Sequence, residues 1–319
     1  MFYKLLKIYA RLAIRLYCKK VVVSHPAYLK TPGPVLYAAN HPNSFLDGVI
    51  LTTLHQEDVY SLARGDAFKN PKVNRFLRKM KLLPVYRTSE GVENLEQNYT
   101  TFASCISAFE KNKSVLIFSE GRCENEWHLR PLKKGTARLA LSAWKKGIPL
   151  KVIPLGFNYS DFNSVGKEVH LLFGDILTKD MINEESAEGK KHLDFNERLH
   201  AQLSQLVYEI RPEEQQKRKK LFSIKIRPSF FFLLLPGIIG GLLHAPFYFL
   251  MKGITGWKFR NSGHYDSVLT SLLFFGYPFY IFLFCVCAWS LAGVWSLAIP
   301  FVLPLLAWCC IQVKYKLDF

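Results

Sequence analysis

The sequence predicts an α/β domain with a mostly parallel sheet flanked by helices, between an N-terminal interfacial helix and a C-terminal helical membrane region. Three observations lead to this prediction. Short β-rich runs alternate with segments of helical period from residue 34 to about residue 210. The first 46 residues contain no Asp or Glu. The 47 residues from Ser267 to Val313 carry no charged side chain, and roughly 20 apolar residues suffice to span a bilayer.

The first element is an amphipathic helix over residues 1–25. Its cations recur at steps of three and four, at Lys4, Lys7, Arg11, Arg15 and Lys19. At 3.6 residues per turn they form one basic stripe, and apolar side chains cover most of the remaining surface. We expect this helix to lie in the membrane interface with its cations on anionic headgroups. The alternative is an ordinary helix packed on the soluble domain with a solvated basic face.

A catalytic domain is predicted over residues 26–210. Its predicted strands cover residues 35–39, 58–63, 82–86, 114–118, 150–157 and 169–173. The predicted helices cover residues 44–55, 71–80, 92–111, 132–147 and 194–210. Strands that alternate with helices in this way indicate a mostly parallel sheet with helical crossovers.

The C-terminal part divides into a basic juxtamembrane linker, residues 211–228, and a membrane region, residues 229–319, with two or three hydrophobic segments. The candidate segments are 229–251, 268–290 and 293–313. The last two form a hairpin in this interpretation, because the loop between them is short and uncharged. Lys and Arg flank the hairpin on both sides, and such residues favour the cytoplasmic side of a membrane. We therefore expect an integral membrane protein whose catalytic domain lies on the cytoplasmic face. The first segment then re-enters or lies in the plane, broken by its Pro and Gly residues; three full spans are the alternative.

The charge balance and the position of the charges limit the classes of function that the sequence favours. The chain has 42 Lys plus Arg against 25 Asp plus Glu, a net charge of +17, and 50% of its residues are hydrophobic. Because the basic residues flank membrane segments, we assign the excess charge to membrane lipids and not to nucleic acid. The uncharged stretch argues against a transporter, which needs polar groups inside its spans. Seven cysteines without a C-x-x-C pair indicate neither a disulfide framework nor a metal site.

The most informative run follows the first predicted strand of the domain, from Asn40 to Gly48. Pro42 forces His41 out of a helical conformation and onto a loop, while Asp47 lies in the first turns of the next helix. The loop allows the two side chains to meet. A carboxylate beside the imidazole would make His41 a general base near neutral pH. The alternative is that Ser44 and Asp47 form a capping box and His41 is an ordinary loop residue.

When further segments of the sequence are considered with this run, the chain resembles the PlsC-type glycerolipid acyltransferases, the lysophosphatidic acid and glycerol-3-phosphate acyltransferase superfamily. The resemblance covers about residues 30–210 and implies the glycerophosphate acyltransferase-like fold. The matching blocks occur in family order, at residues 40–47, 83–87, 118–122, 132–137 and 152–156. Two positions depart from the commonest pattern. Five residues separate His41 from Asp47 where four are usual, and Ser119 replaces the proline of Phe-Pro-Glu-Gly.

The resemblance implies roles for particular residues. His41 and Asp47 are the catalytic pair, and no covalent acyl-enzyme forms. Arg87 binds the acceptor phosphate, a task suited to a planar fork of donors. The secondary substrate-binding candidates are Arg122, Lys133 and Arg64. Glu120 either contacts substrate or braces its loop, and Gly121 either contacts substrate or serves a turn. We expect the oxyanion donors among backbone N–H groups at the start of the helix after Pro42.

The implied reaction moves a fatty acyl group from acyl-CoA or acyl-ACP onto the free hydroxyl of 1-acyl-glycerol 3-phosphate. The expected partners are therefore membrane lipids, the acyl donor and a lysophospholipid acceptor, with no bound cofactor. A glycerol-3-phosphate acyltransferase is the alternative within the same chemistry. A non-catalytic membrane lipid-binding protein on the same scaffold is the alternative of another class. Nothing in the sequence indicates the oligomeric state.

Overall fold

A computed structural model describes residues 2–86, 97–222, 230–260 and 262–314. Within these residues, a seven-stranded sheet forms the centre of the predicted catalytic domain. Its strands are β1 (Cys18–Val23), β2 (Val35–Ala39), β3 (Val59–Arg64), β4 (Leu82–Val85), β5 (Ser114–Phe118), β6 (Lys151–Tyr159) and β7 (Lys167–Phe173). The helices are α1 (Phe2–Tyr17), α2 (Leu46–Leu54), α3 (Pro71–Lys79), α4 (Gln97–Glu110), α5 (Gly135–Lys145), α6 (Glu188–Leu206), α7 (Gln215–Leu221), α8 (Phe230–Phe259), α9 (Tyr265–Ala292) and α10 (Ile299–Lys314).

The strand order is β1-β7-β6-β2-β5-β3-β4. Strands β6, β2, β5, β3 and β4 run parallel to one another, whereas β7 is antiparallel to β6 and β1 follows β7 in parallel. The sheet is therefore mostly parallel and helices flank it, which confirms the predicted fold class. Continuous apolar runs, of five residues in β2 and of four residues after Ser114 in β5, predict both strands to the residue, because both strands are buried on two faces.

The sheet separates two hydrophobic clusters. Leu36 and Ala38 of β2 point into a cluster that contains residues of α4, α5 and α6. Val35 and Tyr37 point into the opposite cluster, which contains residues of α1 and α2. This alternation follows from the two-residue period of a strand.

The N-terminal helix is shorter than predicted. It ends at Tyr17, and residues Cys18–Val23 form the edge strand β1, which pairs with β7. The boundary at residue 25 is therefore wrong. The run Lys-Lys-Val-Val-Val ends the helical pattern with β-branched residues, which favour a strand where a partner edge is exposed.

The cations of α1 do not all face solvent. Lys7 Nζ donates to the carbonyl oxygens of Gln56 and Glu57 at 3.2 and 3.0 Å, and the Arg11 guanidinium donates to Thr53 O at 2.7 and 3.1 Å. These carbonyls lie at the C-terminus of α2, where positive charge is favourable. Part of the basic stripe thus binds protein.

The C-terminal region contains two helical stretches that are long and apolar enough to cross a membrane, Phe231–Phe259 and Tyr265–Lys314. Helix α8 continues through Pro236 and Pro246, so the predicted break in this segment is not observed. A 3-10 turn, Gly293–Ala298, joins α9 to α10.

Both ends of this α9–α10 pair lie at the domain. Ser267, near the start of α9, bonds the loop after β2, and Lys314 Nζ at the end of α10 donates to Val165 O at 3.2 Å. The apolar helical region is therefore attached to the domain at two points.

Candidate active site

The site forms where neighbouring parallel strands end. Ala39, the last residue of β2, pairs with Phe118 of β5 on one side and Leu155 of β6 on the other. The loops that leave β2 and β5 therefore meet at one edge of the sheet, the usual position of a site in an open α/β sheet. They carry His41 and Glu120, the residues singled out from the sequence.

His41 and Asp47 form the predicted pair. His41 Nδ1 lies 3.0 Å from Asp47 Oδ2. The imidazole stacks on Phe118 with ring centroids 3.5 Å apart, and its side chain is 12% exposed at the wall of a cavity. Nε2 has no hydrogen-bond partner in the part of the chain that the structure describes. A carboxylate on Nδ1 directs a free Nε2 toward a substrate, which is the geometry of a general base.

Asp47 is fully buried and receives two further hydrogen bonds. Tyr159 Oη donates to Oδ1 at 2.6 Å, and the Asn43 N–H donates to Oδ2 at 2.9 Å. Burial raises the pKa of Asp47, while the bonds from His41, Tyr159 and Asn43 oppose that shift. The carboxylate is thereby held in one orientation toward the imidazole.

The start of α2 is capped by Asn43. Its Oδ1 accepts the N–H groups of Phe45 and Leu46 at 3.1 and 2.9 Å. Asn43 thus fills the capping role that the sequence offered to Ser44. The Asp47 carboxylate accepts hydrogen bonds from both the Asn43 N–H and the imidazole of His41.

Four backbone N–H groups at the start of α2 are already occupied. The Asn43 N–H bonds Asp47, the Ser44 N–H bonds Ser267 Oγ at 3.0 Å, and the next two N–H groups bond Asn43 Oδ1. These four groups are therefore not free to bind an oxyanion in this conformation. Gly48, one turn further along α2, also lines the cavity, and the expectation of oxyanion donors near the start of this helix stays a prediction.

Glu120 braces the two loops against each other. Its Oε2 accepts the His41 N–H at 2.8 Å and its Oε1 accepts the Arg130 N–H at 2.9 Å. The carboxyl group is buried, which raises its pKa to about 7. Both oxygens are thus used for backbone contacts, which favours the bracing alternative for Glu120.

Gly121 serves a turn at the cavity wall. Its φ of 66° lies in the left-handed region that favours glycine. An added Cβ would come within 3.1 Å of Lys133 Cγ. The turn therefore lets the Lys133 side chain approach the loop of Glu120.

The other predicted substrate-binding residues that the structure describes line the same cavity. They differ in whether their side chains already pair with a carboxylate. The Arg64 guanidinium pairs with Asp66, and the Arg122 guanidinium pairs with Glu124. Lys133 has no ion pair among the residues described. Arg87 lies outside the described residues.

The cavity has a volume of about 2920 Å³ and two kinds of wall. Its apolar wall includes Leu6, Ala10, Val49, Leu272, Phe275 and Phe279, which belong to α1, α2 and α9. Its basic wall includes Arg64, Arg122, Lys133, Lys134 and Arg138, and two carboxylates, Glu184 and Glu188, also line the cavity. His41 lies on the cavity surface with both. The arrangement suits a substrate with an anionic part and a long apolar part.

Cys123 is a potential nucleophile near the His41–Asp47 pair, but the protonation state of its thiol is unfavourable. Burial and the nearby charge of Asp47 raise the pKa of its thiol well above the ordinary range. A protonated thiol is a poor nucleophile. Within the described ranges, no group of three or more His, Cys, Asp or Glu side chains could hold a metal ion.

Residues 20–158 match the family model described as Acyltransferase. By this match, residues 20–158 form a domain of the acyltransferase type. The match includes both loops of the site. Comparison with solved structures finds similarity to 1-acyl-sn-glycerophosphate (LPA) acyltransferase, PlsC, from Thermotoga maritima, at 15% identity, with a TM-score of 0.47 over 64% of this chain and 78% of that chain. Comparison with curated proteins finds no match.

Sequence reasoning missed three polar residues of the acyltransferase site. Asn40 Oδ1 accepts the Phe157 N–H at 2.7 Å and so ties the loop to β6. Tyr159 lies two residues beyond the predicted end of its strand. The sequence does contain a signal for Asp266, because it is the sole acidic residue between positions 215 and 317 and precedes the long uncharged stretch.

Proposed function

We propose that this acyltransferase moves a fatty acyl group from acyl-CoA or acyl-ACP onto the free hydroxyl of 1-acyl-glycerol 3-phosphate at a membrane. The observation that carries the proposal is the His41–Asp47 pair on a cavity with one apolar and one basic wall. The ordered sequence blocks of the PlsC type support a phosphorylated glycerol acceptor. The apolar wall supports an acceptor that already carries one chain.

The proposed reaction is a direct transfer. His41 Nε2 takes the proton from the acceptor hydroxyl as its oxygen attacks the thioester carbonyl carbon, and a tetrahedral intermediate forms. The C–S bond then breaks, and the imidazolium returns the proton to the departing thiolate. Asp47 stabilises the transient imidazolium and holds its Nδ1 proton. The raised thiol pKa of Cys123 supports a route without an acyl-cysteine.

The basic wall supplies groups for the phosphates. Lys133, free of ion pairs among the described residues, is our first choice within that wall, and Arg87 keeps its proposed role toward the acceptor phosphate. Arg64 and Arg122 would exchange a carboxylate partner for a phosphate when substrate binds. Glu120 and Gly121 act on the shape of the loop.

Membrane lipids are the proposed partner surface. One face of α1 presents apolar side chains that are about half-exposed, at Phe2, Leu5, Ile8 and Leu12. Helix α3 has no buried residue and exposes Val73 and Phe76 beside four cations, Lys72, Arg75, Arg78 and Lys79. Exposed apolar and basic groups together suit an anionic leaflet. With Lys and Arg flanking the apolar helices, we place the domain on the cytoplasmic face.

An acceptor panel tests the proposal. Membranes that contain the full chain are given labelled acyl-CoA or acyl-ACP with 1-acyl-glycerol 3-phosphate, glycerol 3-phosphate or monoacylglycerol. We expect 1-acyl-glycerol 3-phosphate to be acylated fastest, and Lys133→Ala or Arg87→Ala to raise the KM of that acceptor. Faster acylation of glycerol 3-phosphate would assign the protein to that reaction instead. The proposal would be overturned if neither 1-acyl-glycerol 3-phosphate nor glycerol 3-phosphate were acylated.

A further inference from the structure

The start of α9 carries a fully buried ion pair. Lys167 Nζ of β7 pairs with the Asp266 carboxylate, and both side chains are 0% exposed. Tyr17 Oη donates to Asp266 Oδ1 at 2.8 Å, and Asn43 Nδ2 donates to Asp266 Oδ2 at 2.6 Å. Removing one partner of such a pair leaves an uncompensated buried charge. The contacts around this ion pair lead to the loop of His41.

Residues at the start of α9 bond Asn43 and Ser44 of that loop directly and reach Pro42 through Asn125. Ser267 Oγ accepts the Ser44 N–H at 3.0 Å and donates to Asn43 Oδ1 at 3.0 Å. The Asp266 N–H donates to Asn125 Oδ1 at 3.3 Å, and Asn125 Nδ2 donates to Pro42 O at 2.7 Å. The loop is therefore held by bonds from α9 as well as by bonds from the acyltransferase domain.

Asn43 connects this contact to the catalytic pair. Its N–H bonds Asp47 Oδ2, the oxygen that faces His41 Nδ1, while its side chain is shared between Asp266, Ser267 and the first turn of α2. Lys167 Nζ also lies over the ring of Tyr159, 5.9 Å from the centroid, and Tyr159 bonds the other oxygen of Asp47. Two routes thus run from the buried ion pair to one carboxylate.

We propose that Asp266 and Ser267 are positioning residues for His41, so that the start of the C-terminal apolar hairpin is a part of the active site and not only an attachment. The proposal rests on His41 being the base in the proposed function. Neither residue touches the reacting atoms. They act by holding the loop, and through Asn43 the carboxylate, in the orientation that directs the imidazole into the cavity.

The test compares full-chain variants in detergent or bilayer discs. Ser267→Ala removes only two hydrogen bonds and keeps the ion pair, Asp266→Asn removes the negative charge, and Ser267→Thr keeps the hydroxyl. Ser290→Ala is the matched control, because Ser290 lies on the same helix and, among the described residues, its hydroxyl bonds Cys287 O alone. Four quantities are measured: kcat, KM, the melting temperature, and the pH profile of His41 modification by diethyl pyrocarbonate, read by mass spectrometry.

We expect Ser267→Ala and Asp266→Asn to lower kcat by roughly tenfold or more, because small displacements of a catalytic group are costly. Both should shift the His41 pH profile, downward for Asp266→Asn because Lys167 is left unpaired. Ser267→Thr should keep the wild-type kcat and the wild-type His41 profile, and Ser290→Ala should change neither of them. An unchanged His41 profile in both variants would overturn the proposal, whether kcat is normal or falls in step with the melting temperature.

The profile also separates this proposal from the proposed function. If the wild type transfers no acyl group to any acceptor, the proposed function fails, yet the modification of His41 is still measurable. A shifted profile in Ser267→Ala would then support the positioning role of α9, and an unshifted profile would contradict it.

Discussion

At the scale of single residues, the Asp47 carboxylate is the centre of the site. Its two oxygens accept hydrogen bonds from three places in the chain: the loop residue Asn43, the imidazole of His41 and the β6 residue Tyr159. Each bond restricts the rotation of the carboxylate. Because the carboxylate fixes the imidazole, a change at any of these partners should alter the rate of the chemical step more than substrate binding.

Tyr159→Phe tests this arrangement. The variant leaves Asp47 Oδ1 without its donor, and a hydrogen bond to a buried charged group contributes about 1.5–3 kcal/mol. We expect kcat to fall by about tenfold with KM nearly unchanged. Tyr37→Phe is the matched control, because Tyr37 Oη donates to Tyr28 O at 2.8 Å on the same sheet and does not contact Asp47. Equal kcat values for the two variants would contradict the role of Tyr159.

Glu120 gives the site a pH-dependent stability. Burial raises its pKa from 4.5 to about 7, so the folded chain favours the protonated carboxyl. The resulting stability is complete below about pH 4.5 and is lost as the pH rises through about 7. The loss is on the order of 3 kcal/mol at most.

Glu120→Gln removes this titration. We expect the melting temperature of wild type to exceed that of the variant by more at pH 5 than at pH 8, because only the wild type must bury a charge at the higher pH. Thermal unfolding of both proteins in one detergent checks the difference. A gap that stays constant between the two pH values would show that Glu120 titrates as it does in the unfolded chain.

At the scale of elements, α1 and α2 are joined through the cations of α1. Arg11 bonds the carbonyl of Thr53 near the C-terminus of α2, so the helix that carries Asp47 is supported at its far end. Arg15 belongs to the same basic stripe but makes no side-chain hydrogen bond or ion pair among the described residues. The stripe therefore contains cations with two different functions, one in packing and one at the surface.

Arg11→Gln and Arg15→Gln separate these functions. The loss of the Arg11 bonds should cost about 1 kcal/mol, which corresponds to roughly 2–4 °C in the melting temperature of a domain of this size. Arg15→Gln should leave the melting temperature unchanged. If both substitutions lowered the melting temperature equally, the assignment of Arg11 to packing would be wrong.

At the scale of the whole molecule, much of the domain follows from local patterns. β2 and β5 are predicted by continuous apolar runs, and Pro42 predicts that His41 lies on a loop within reach of Asp47. β1 is missed because its Lys residues continue the helical spacing of α1. The capping by Asn43 and the bracing by Glu120 depend on backbone groups that acquire their positions only in the folded loops.

The contact between the hairpin and the site could not be predicted from the sequence. Lys167 and Asp266 are 99 positions apart. Lys167 begins a strand and Asp266 begins a helix, and both are common places for charged residues. Their burial results from the docking of α9 against β7 and the loop after β2, which is a property of tertiary structure. The two halves of the molecule therefore share one site.

The central claim is that His41 is the general base of an acyltransferase. The most direct measurement is the rate of labelled acyl transfer to 1-acyl-glycerol 3-phosphate by membranes with wild type, His41→Ala or His128→Ala. His128 is the matched control, since its Nδ1 lies 2.6 Å from Glu209 in an exposed pair away from the cavity. We predict a loss of about 10²–10⁴-fold for His41→Ala and none for His128→Ala. Transfer by His41→Ala at the wild-type rate would contradict the account.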